Sequence, residues 1–347
     1  MAEEQHIQRR PRRKRVNIRN NGLLYFNDEE FRIRFRLNKV QFKEVLLQIE
    51  AKIIQRDRNN AVPPVIQLLA AMRYYATGSF LIMIADSSGI SKKMAQIIIH
   101  RVSSEIANLF QRYIRLPRTE FGMLKTVKKN FLVSGMIRIY LFNLFLGGED
   151  AEIWRNRKGF FSINVQCLVN SDLQIMDIVA RWPGSTHDST IFDHSRLKQR
   201  FDDMELNNGI ILADRGYRNH RYLLTPLANP TTPAEILYNE AHIRTRCMVE
   251  RCFGVWGRLF PVLTIGSRFR KPQSTINVII ATAVLYNIIR RDSKPADKGN
   301  MQNYLNIDQI YADPTENDRQ YLIDNYFSRY MISDRRYPCT KAKIKQR

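Results

Sequence analysis

Apolar positions along the chain follow two different spacings, and the change between them divides the sequence. Between residues 28 and 118 they recur every three or four residues, which predicts amphipathic helices. Between residues 129 and 291 short apolar runs of strand length alternate with helical patterns, which predicts an α/β domain. We therefore expect four parts: a basic disordered tail (1–22), a helical region (23–118), the α/β domain (129–291) and a polar linker with a short helix and a basic tail (292–347).

The helical region contains a pattern that is typical of a helix-turn-helix. Asp28 is predicted to cap the first long helix, and the proline pair at 63–64 to open the next. A short apolar helix then leads to a turn at 87–89, and a longer helix begins after Ser91. The second helix of such a motif presents its N-terminus to the major groove of DNA. Any two packed helices joined by a glycine turn give the same pattern, so both interpretations stay open.

The α/β domain carries three acidic residues, each in a different local setting. Residues 161–170 and 174–181 are apolar or β-branched on either side of a turn, which predicts a hairpin. Asp188 falls at the start of one long helical segment, and Asp214 follows an apolar run of the buried-strand type. Glu250 lies in a helix predicted from about residue 240 to residue 260, at the edge of its apolar stripe.

Carboxylates at strand ends and on a helix over the sheet would repel one another unless a cation lies between them. Hard oxygen ligands of this kind suit Mg²⁺ or Mn²⁺, the ions that assist in-line attack on phosphodiesters. The alternative is structural, because acidic residues are common at helix N-termini and Glu250 beside Arg251 is typical of a solvated pair. Spacing alone does not decide between them.

Seven motifs in this region occur in the order in which one known family has them. They are NRKGFFSINVQ (156–166), WPGSTHDS (182–189), ILADRGY (211–217), LLTPL (223–227), TPAE (232–235), YNEAHIRTR (238–246) and VERCFG (249–254). Together they closely resemble the DDE endonuclease domain of PIF/Harbinger transposases and of the domesticated nucleases derived from them.

The resemblance implies a fold, a chemistry and partners. The fold would be an RNase H-like mixed sheet flanked by helices, and the cofactor a divalent cation, Mg²⁺ or Mn²⁺. Asp188, Asp214 and Glu250 match the family's catalytic metal ligands, and DNA would be the substrate. The family also implies a separate Myb-like protein that assists DNA binding and nuclear entry.

One family ligand is missing from its expected place. The family has its first Asp in a G-x-I-D-x-T-H pattern on the opening strand, shortly before a GGED motif, here residues 147–150. Counting back from that motif places Ile137 at the Asp position, with Tyr140 at the His position, whereas matching the glycine places Arg138 there. No acidic residue occurs between residues 120 and 149. Glu149 or Asp150 is the nearest candidate for a substitute.

The charge and the cysteine content of the sequence indicate what kind of partner and which cellular compartment to expect. The formal net charge is +22 and the isoelectric point about 10.0, which favours a polyanionic partner. Residues 1–20 hold seven Lys or Arg against two Glu, typical of a nuclear import signal or a DNA-binding arm. Four cysteines without a CxxC pair favour a reducing compartment and disfavour a zinc site. We expect a nuclear protein, with the cytoplasm as a second compartment.

Membrane association is not expected. No run approaches 18 consecutive apolar residues, and the charged start is unlike a signal peptide. The apolar segment at 275–290 is instead expected to be a buried helix.

Two functions follow from these observations. The first is a metal-dependent DNA endonuclease derived from a transposase and impaired by the missing first Asp. The second is a non-catalytic DNA- or partner-binding protein that keeps the nuclease fold. A general RNA-binding protein is disfavoured, since the sequence has no RNP, KH or aromatic-platform pattern.

Overall fold

The computed structural model describes residues 21–54, 61–116, 133–143, 149–170, 172–206, 210–220, 222–267, 269, 271–293 and 319–328, with the backbone alone at 133–143, 149–150 and 326. The chain divides into two compact units, Met1–Val102 and Ser103–Arg347. The predicted boundary between residues 118 and 129 lies outside the described residues. So do the basic segment at 1–20 and the predicted basic end at 334–347.

The first unit is helical and is built around α4. Its helices are α1 (Gly22–Tyr25), α2 (Asp28–Phe35), α3 (Lys39–Ile53), α4 (Pro64–Thr77), α5 (Leu81–Ser87) and α6 (Lys92–Ala107), the last of which runs into the second unit. The helix α4 packs against α2, α3 and α5, and ten of its fourteen residues are buried. Its proline start agrees with the prediction, and Gly78 ends it in the left-handed conformation, at φ 60°.

The prediction that Asp28 caps the first long helix is wrong by one residue. Asn27 is the cap, because its Oδ1 accepts a hydrogen bond from the Glu30 backbone N–H at 2.9 Å and the Glu30 carboxylate accepts one from the Asn27 N–H. This reciprocal capping box satisfies two backbone donors, which a cap at Asp28 would not do. Asp28 instead lies in the first turn, where the helix dipole favours a negative charge.

The helix pair α5 and α6 lies where the sequence predicts it. Gly89 turns the chain with a φ of 62°, and the Ser91 Oγ accepts a hydrogen bond from the Met94 N–H at 3.1 Å. Two packed helices of any function have this geometry, so a role of α6 in DNA binding stays a prediction.

The second unit contains one five-stranded mixed sheet. Its strands are β1 (Val133–Asn143), β2 (Ser162–Val169), β3 (Ile175–Pro183), β4 (Ile210–Ala213) and β5 (Leu223–Leu224), and they lie in the order β3-β2-β1-β4-β5. The pairs β1–β2 and β2–β3 are antiparallel, whereas β1–β4 and β4–β5 are parallel. The predicted hairpin is therefore confirmed as β2 and β3.

The described helices of this unit are α7 (Phe110–Tyr113), a 3-10 helix (Glu149–Trp154), α8 (Asp188–Asp193), α9 (Arg196–Asp202), α10 (Pro233–Leu259), α11 (Val262–Ile265), α12 (Pro272–Arg291), α13 (Arg319–Leu322) and a π-helical turn (Ile323–Phe327). The single helix predicted after Asp188 is thus two helices. The break occurs because the Ser195 Oγ accepts a hydrogen bond from the Lys198 N–H at 3.1 Å and caps α9 as a new helix.

The core of the second unit holds the strands and helices of the candidate site in fixed positions. One cluster joins Phe192 of α8 and Phe201 of α9 to Ile211 and Ala213 of β4. The helix α12 is long and apolar enough by composition to cross a membrane, and 67% of its most apolar window is buried within the protein. This burial agrees with the expectation of a core helix.

Candidate functional site

Asp214 leaves the carboxyl end of β4, a strand whose four residues are all buried. The strand β4 lies between β1 and β5 and is buried, which explains its purely apolar sequence, and the strand ends at Ala213. The Asp214 side chain is 49% exposed, and its Oδ1 accepts a hydrogen bond from the Arg215 N–H at 2.8 Å. Asp214 is therefore a carboxylate at the accessible edge of a buried strand.

Asp188 lies at the same edge, in the first turn of α8. The Ser189 Oγ donates to the Gly216 carbonyl oxygen at 2.6 Å and so ties α8 to the loop after β4. A Cβ atom built on Gly216 would lie 3.5 Å from Asp188 Oδ2. Burial raises the pKa of Asp188, and the negative charge of Asp214 raises it further. The two carboxylates are thus near enough to repel each other.

Glu250 is joined to this pair through an arginine. Arg246 Nη1 lies 3.5 Å from Asp214 Oδ2 and 3.2 Å from Glu250 Oε1. Since one nitrogen makes both contacts, the two carboxylate oxygens are separated by no more than the sum of those distances. The structure therefore places Asp188 beside the loop of Asp214, and it places the Arg246 guanidinium between Asp214 and Glu250.

The helix α10 that carries Arg246 and Glu250 begins earlier than predicted. Thr232 caps it, with Pro233 in the first position and the Glu235 carboxylate accepting hydrogen bonds from the Thr231 and Thr232 N–H groups at 2.6 and 2.8 Å. This sequence is a capping box of the standard kind, so a sequence signal for the earlier start was present. The predicted apolar stripe of this helix is confirmed as buried at Val249, Phe253, Trp256 and Phe260.

Two side chains fasten the first half of α10 to the sheet. The Tyr238 hydroxyl donates to the Thr225 carbonyl at 3.0 Å, and His242 Nε2 lies 3.1 Å from the Leu224 carbonyl. Burial lowers the pKa of His242 to about 4, so the ring is neutral at physiological pH. Because His242 lies one turn before Arg246, this anchor helps to set where Arg246 and Glu250 stand.

The carboxylate oxygens of this site are the type of ligand that a divalent cation binds, but Arg246 lies between two of the carboxylates. Carboxylate oxygens are the ligands that Mg²⁺ and Mn²⁺ prefer. Among the described residues, however, no three His, Cys, Asp or Glu side chains stand close enough together to hold a metal ion. The positive charge that lies between Asp214 and Glu250 belongs to Arg246.

The backbone of β1 shows where the position that corresponds to the family's first Asp lies in the sheet. Ile137 pairs with Ala213, the residue directly before Asp214, so β1 passes the site at this position. Position 137 or 138 is therefore where a further carboxylate would complete the cluster. Glu149 and Asp150 begin the 3-10 helix, and their side chains lie outside the described part of the chain.

The sequence interpretation missed Arg246 as a member of the site. Its spacing of four residues before Glu250 was the available signal, since side chains at i and i+4 are neighbours on a helix. The contact with Asp214 had no such signal, because it joins residues 32 positions apart.

Comparison with known proteins agrees with this site. The family model for DDE superfamily endonucleases matches residues 146–287, which include Asp188, Asp214 and Glu250. The rat (Rattus norvegicus) protein named "Putative nuclease HARBI1" is 29% identical over 260 residues, covering 72% of this chain and 74% of that protein. Over these parts of the chain, the protein is similar to DDE superfamily endonucleases and to the Harbinger transposase-derived nucleases.

Two further relatives are less identical to the chain. The human (Homo sapiens) "Putative nuclease HARBI1" is 28% identical, covering 72% of this chain and 74% of that protein. The Arabidopsis thaliana "Protein ALP1-like" is 21% identical, covering 69% of this chain and 65% of that protein. No solved structure matches the chain.

The similarity to DDE superfamily endonucleases bears on the site in two ways. Enzymes of this superfamily generally use divalent metals, and a domain of this kind implies DNA as its substrate. The family match begins at residue 146, after β1 has ended at Asn143. The strand with the anomalous Ile137 thus lies outside the matched region.

Proposed function

We propose that this protein is a transposase-derived DNA endonuclease that uses Asp188, Asp214 and Glu250 as ligands for Mg²⁺ or Mn²⁺ and has impaired catalysis. The observation that carries the proposal is that Asp188 lies beside the loop after β4 that begins with Asp214, while Arg246 joins Asp214 to Glu250. Acidic residues that are far apart in sequence and meet at the edge of a central strand are expected of a site that handles phosphodiesters.

The sheet supports an RNase H-like assignment within this proposal. Three antiparallel strands are followed by two that run parallel to β1, in the order β3-β2-β1-β4-β5. Asp214 follows β4, and β1 and β4 are neighbours, so a carboxylate on β1 and Asp214 would face one substrate. This topology is the expected arrangement for the family's first two acidic ligands.

Each of the three acidic side chains, and Arg246, has a role in the proposed chemistry. A bound divalent cation would supply Lewis-acid activation for phosphodiester hydrolysis. Asp188 and Asp214 would hold it with oxygens of the appropriate kind. Glu250 would be the third ligand, and Arg246 keeps it within reach of Asp214 when no cation is bound.

The missing first Asp is the reason for proposing impaired catalysis. A two-metal site needs a carboxylate that bridges the ions, and neither Ile137 nor Arg138 provides one. The second candidate function, a DNA- or partner-binding protein without turnover, is favoured by the same absence. It is also favoured by the Arg246 guanidinium, which already pairs with Asp214 and Glu250.

The two candidates are separated by restoring the carboxylate. Ile137→Asp and Arg138→Asp should each be purified and tested for Mn²⁺-dependent nicking of plasmid DNA beside the unchanged chain. We expect little nicking by the unchanged chain, a clear gain in one variant, and loss of that gain on adding Glu250→Gln. Absence of nicking from every variant would favour the binding protein. Efficient nicking by the unchanged chain would show that the missing ligand is supplied elsewhere, with Glu149 and Asp150 the first to mutate.

Three further parts of the proposal concern where and with what the protein acts. The pair α5 and α6 would contact DNA as a helix-turn-helix, with Lys92 and Lys93 in the first turn of α6 near the phosphates. The basic segment at 1–20 would serve nuclear import or DNA contact. A Myb-like partner protein is proposed through the family resemblance alone.

A further inference from the structure

A cleft of about 530 Å³ opens directly beside the candidate metal site. It is lined by Glu250 and, further along α10 and into α11, by residues that include Phe253, Gly254, Arg258 and Pro261. Glu250 therefore belongs both to the carboxylate cluster and to the wall of the cleft. Anything that fills the cleft would be continuous with a substrate held at that cluster.

Gly254 lines the cleft without a side chain, and as a glycine within a helix it lowers the stability of α10. A glycine within a helix destabilises it by about 1 kcal/mol relative to alanine. Packing does not require that glycine here, because a Cβ at residue 254 would meet no described atom within 4 Å. Gly257 differs, since a Cβ there would lie 3.2 Å from Thr264 Cγ2. The open space at Gly254 thus serves the cleft and not the core.

Arg258 supplies a positive charge to the cleft. Its Nε donates to the Gly254 carbonyl oxygen at 3.2 Å, so the guanidinium turns back along the helix towards residue 254. Residue 254 lies four residues beyond Glu250, a span of about 6 Å by helix geometry. At about 3.4 Å of rise per nucleotide, that is one or two steps of a DNA strand.

The cleft also has an apolar part. Pro261 contributes to it together with the exposed edge of Phe253, a ring that is 7% exposed and packs against Trp256 with centroids 6.0 Å apart. An occupant should therefore have an apolar planar part and an anionic part, and it should connect to the cleaved bond. An unpaired nucleotide has these properties, since bases bind apolar and aromatic surfaces and phosphates bind arginine.

We infer that this cleft binds one unpaired nucleotide of the DNA strand next to the cleaved bond, with the base against Phe253 and Pro261 and the phosphate at Arg258. The inference rests on the proposed function for its substrate, and it adds a preference for DNA that is locally single-stranded. Gly254 is open because the strand passes close to the helix backbone there.

The test compares two DNAs by fluorescence anisotropy, in EDTA so that metal binding and cleavage play no part. One is a labelled blunt duplex, and the other is the same duplex with a short single-stranded extension. We expect the extended DNA to bind about fivefold to tenfold more tightly, as one stacked base provides. Gly254→Leu should abolish this preference and leave blunt-duplex binding unchanged, and Arg258→Gln should reduce it.

The controls separate folding, general charge and the nuclease proposal. Arg244→Gln removes the same charge from the same helix, at a residue that pairs with Glu240, and should keep the preference. Gly254→Ala should raise the melting temperature slightly, because its Cβ meets open space. Equal binding of both DNAs, or a preference that survives Gly254→Leu, would overturn the inference. Nicking assays on the restored-carboxylate variants are independent of these outcomes, so failure of the cleft and failure of the nuclease are distinguishable.

Discussion

Arg246 and Glu250 form an ion pair one helical turn apart on α10, with Nη1 and Oε1 separated by 3.2 Å. The same nitrogen lies 3.5 Å from Asp214, so the pair closes a bridge between the helix and the sheet. The Arg246 side chain is only 22% exposed, which makes it the most enclosed member of the trio. The single positive charge of Arg246 thus offsets part of the negative charge of two carboxylates that a divalent metal would need.

Removing Arg246 should make the site bind metal more tightly. In Arg246→Gln the two carboxylates lose their internal counter-ion, and a divalent cation no longer competes with it. Exposed and half-exposed ion pairs contribute up to about 1 kcal/mol each, so we expect Mn²⁺ affinity to rise about threefold to tenfold. Isothermal titration or the electron paramagnetic resonance of free Mn²⁺ measures this without any cleavage assay.

Arg244→Gln is the matched control, since Arg244 lies on the same helix and its partner is Glu240. Its Mn²⁺ affinity should stay at the level of the unchanged protein. Weaker Mn²⁺ binding by Arg246→Gln would contradict the view that Arg246 competes with the metal ion. Arg246 would then be a positioning residue that holds Glu250 in place for the metal.

His242 should make the protein sensitive to mild acid. Its folded-state pKa, about 4, is depressed from the ordinary value of 6.5, so the unfolded chain binds more protons between these values. The free energy of unfolding should therefore fall as the pH falls from about 6.5 to about 4, by roughly 3 kcal/mol at most from this residue. Urea melts across that range should show a smaller slope against pH in His242→Gln. An unchanged slope would mean that His242 does not titrate on unfolding.

The residues of the candidate site were predictable from the sequence, whereas their mutual contacts were not. Asp188, Asp214 and Glu250 stand in motifs whose order carries a family resemblance, and the strand and helix that hold the latter two have clear apolar patterns. The bridge through Arg246 depends on how α10 crosses the edge of the sheet, which local periodicity does not encode.

The exact ends of helices were also only partly predictable from the sequence. The error at Asp28 arose because Asn27 and Asp28 are both good caps, and only the reach of Glu30 back to Asn27 decides between them. The predicted start of α10, at about residue 240, is too late because the apolar stripe covers only the second half of the helix. The capping box of Thr232 and Glu235 marks the true start.

Gly184 should tolerate no side chain. A Cβ there would collide with the Ser162 hydroxyl and approach the Asn156 Cβ to 3.1 Å, at the point where β3 leads into the Asp188 loop. Gly184→Ala should therefore cost about 1–3 kcal/mol of unfolding free energy, the usual range for overpacking. Adding Ser162→Ala removes the colliding hydroxyl and should recover part of the loss in a double-mutant cycle. Strict additivity of the two changes would show that the collision is relieved by backbone movement instead.

Asn287 should be among the most sensitive polar residues of α12. Its Oδ1 accepts from the Ile175 N–H at 2.9 Å, and its Nδ2 donates to the Ile175 and Tyr113 carbonyls at 2.7 and 2.9 Å. One side chain thus satisfies backbone groups at the start of β3 and the end of α7. Asn287→Ala leaves these buried groups without partners, at about 1–3 kcal/mol for each group that water cannot reach.

Asn277 provides the comparison on the same helix, because its Oδ1 accepts only from the exposed Gln273 side chain among the contacts described, at 3.0 Å. Asn277→Ala should change stability by less than about 0.5 kcal/mol. In native-state hydrogen exchange, the Ile175 amide should lose its protection in Asn287→Ala and keep it in Asn277→Ala. If the Ile175 amide stayed protected when Asn287 is removed, β3 would be held by the sheet alone. The hydrogen bonds of Asn287 would then have no part in fixing the start of β3.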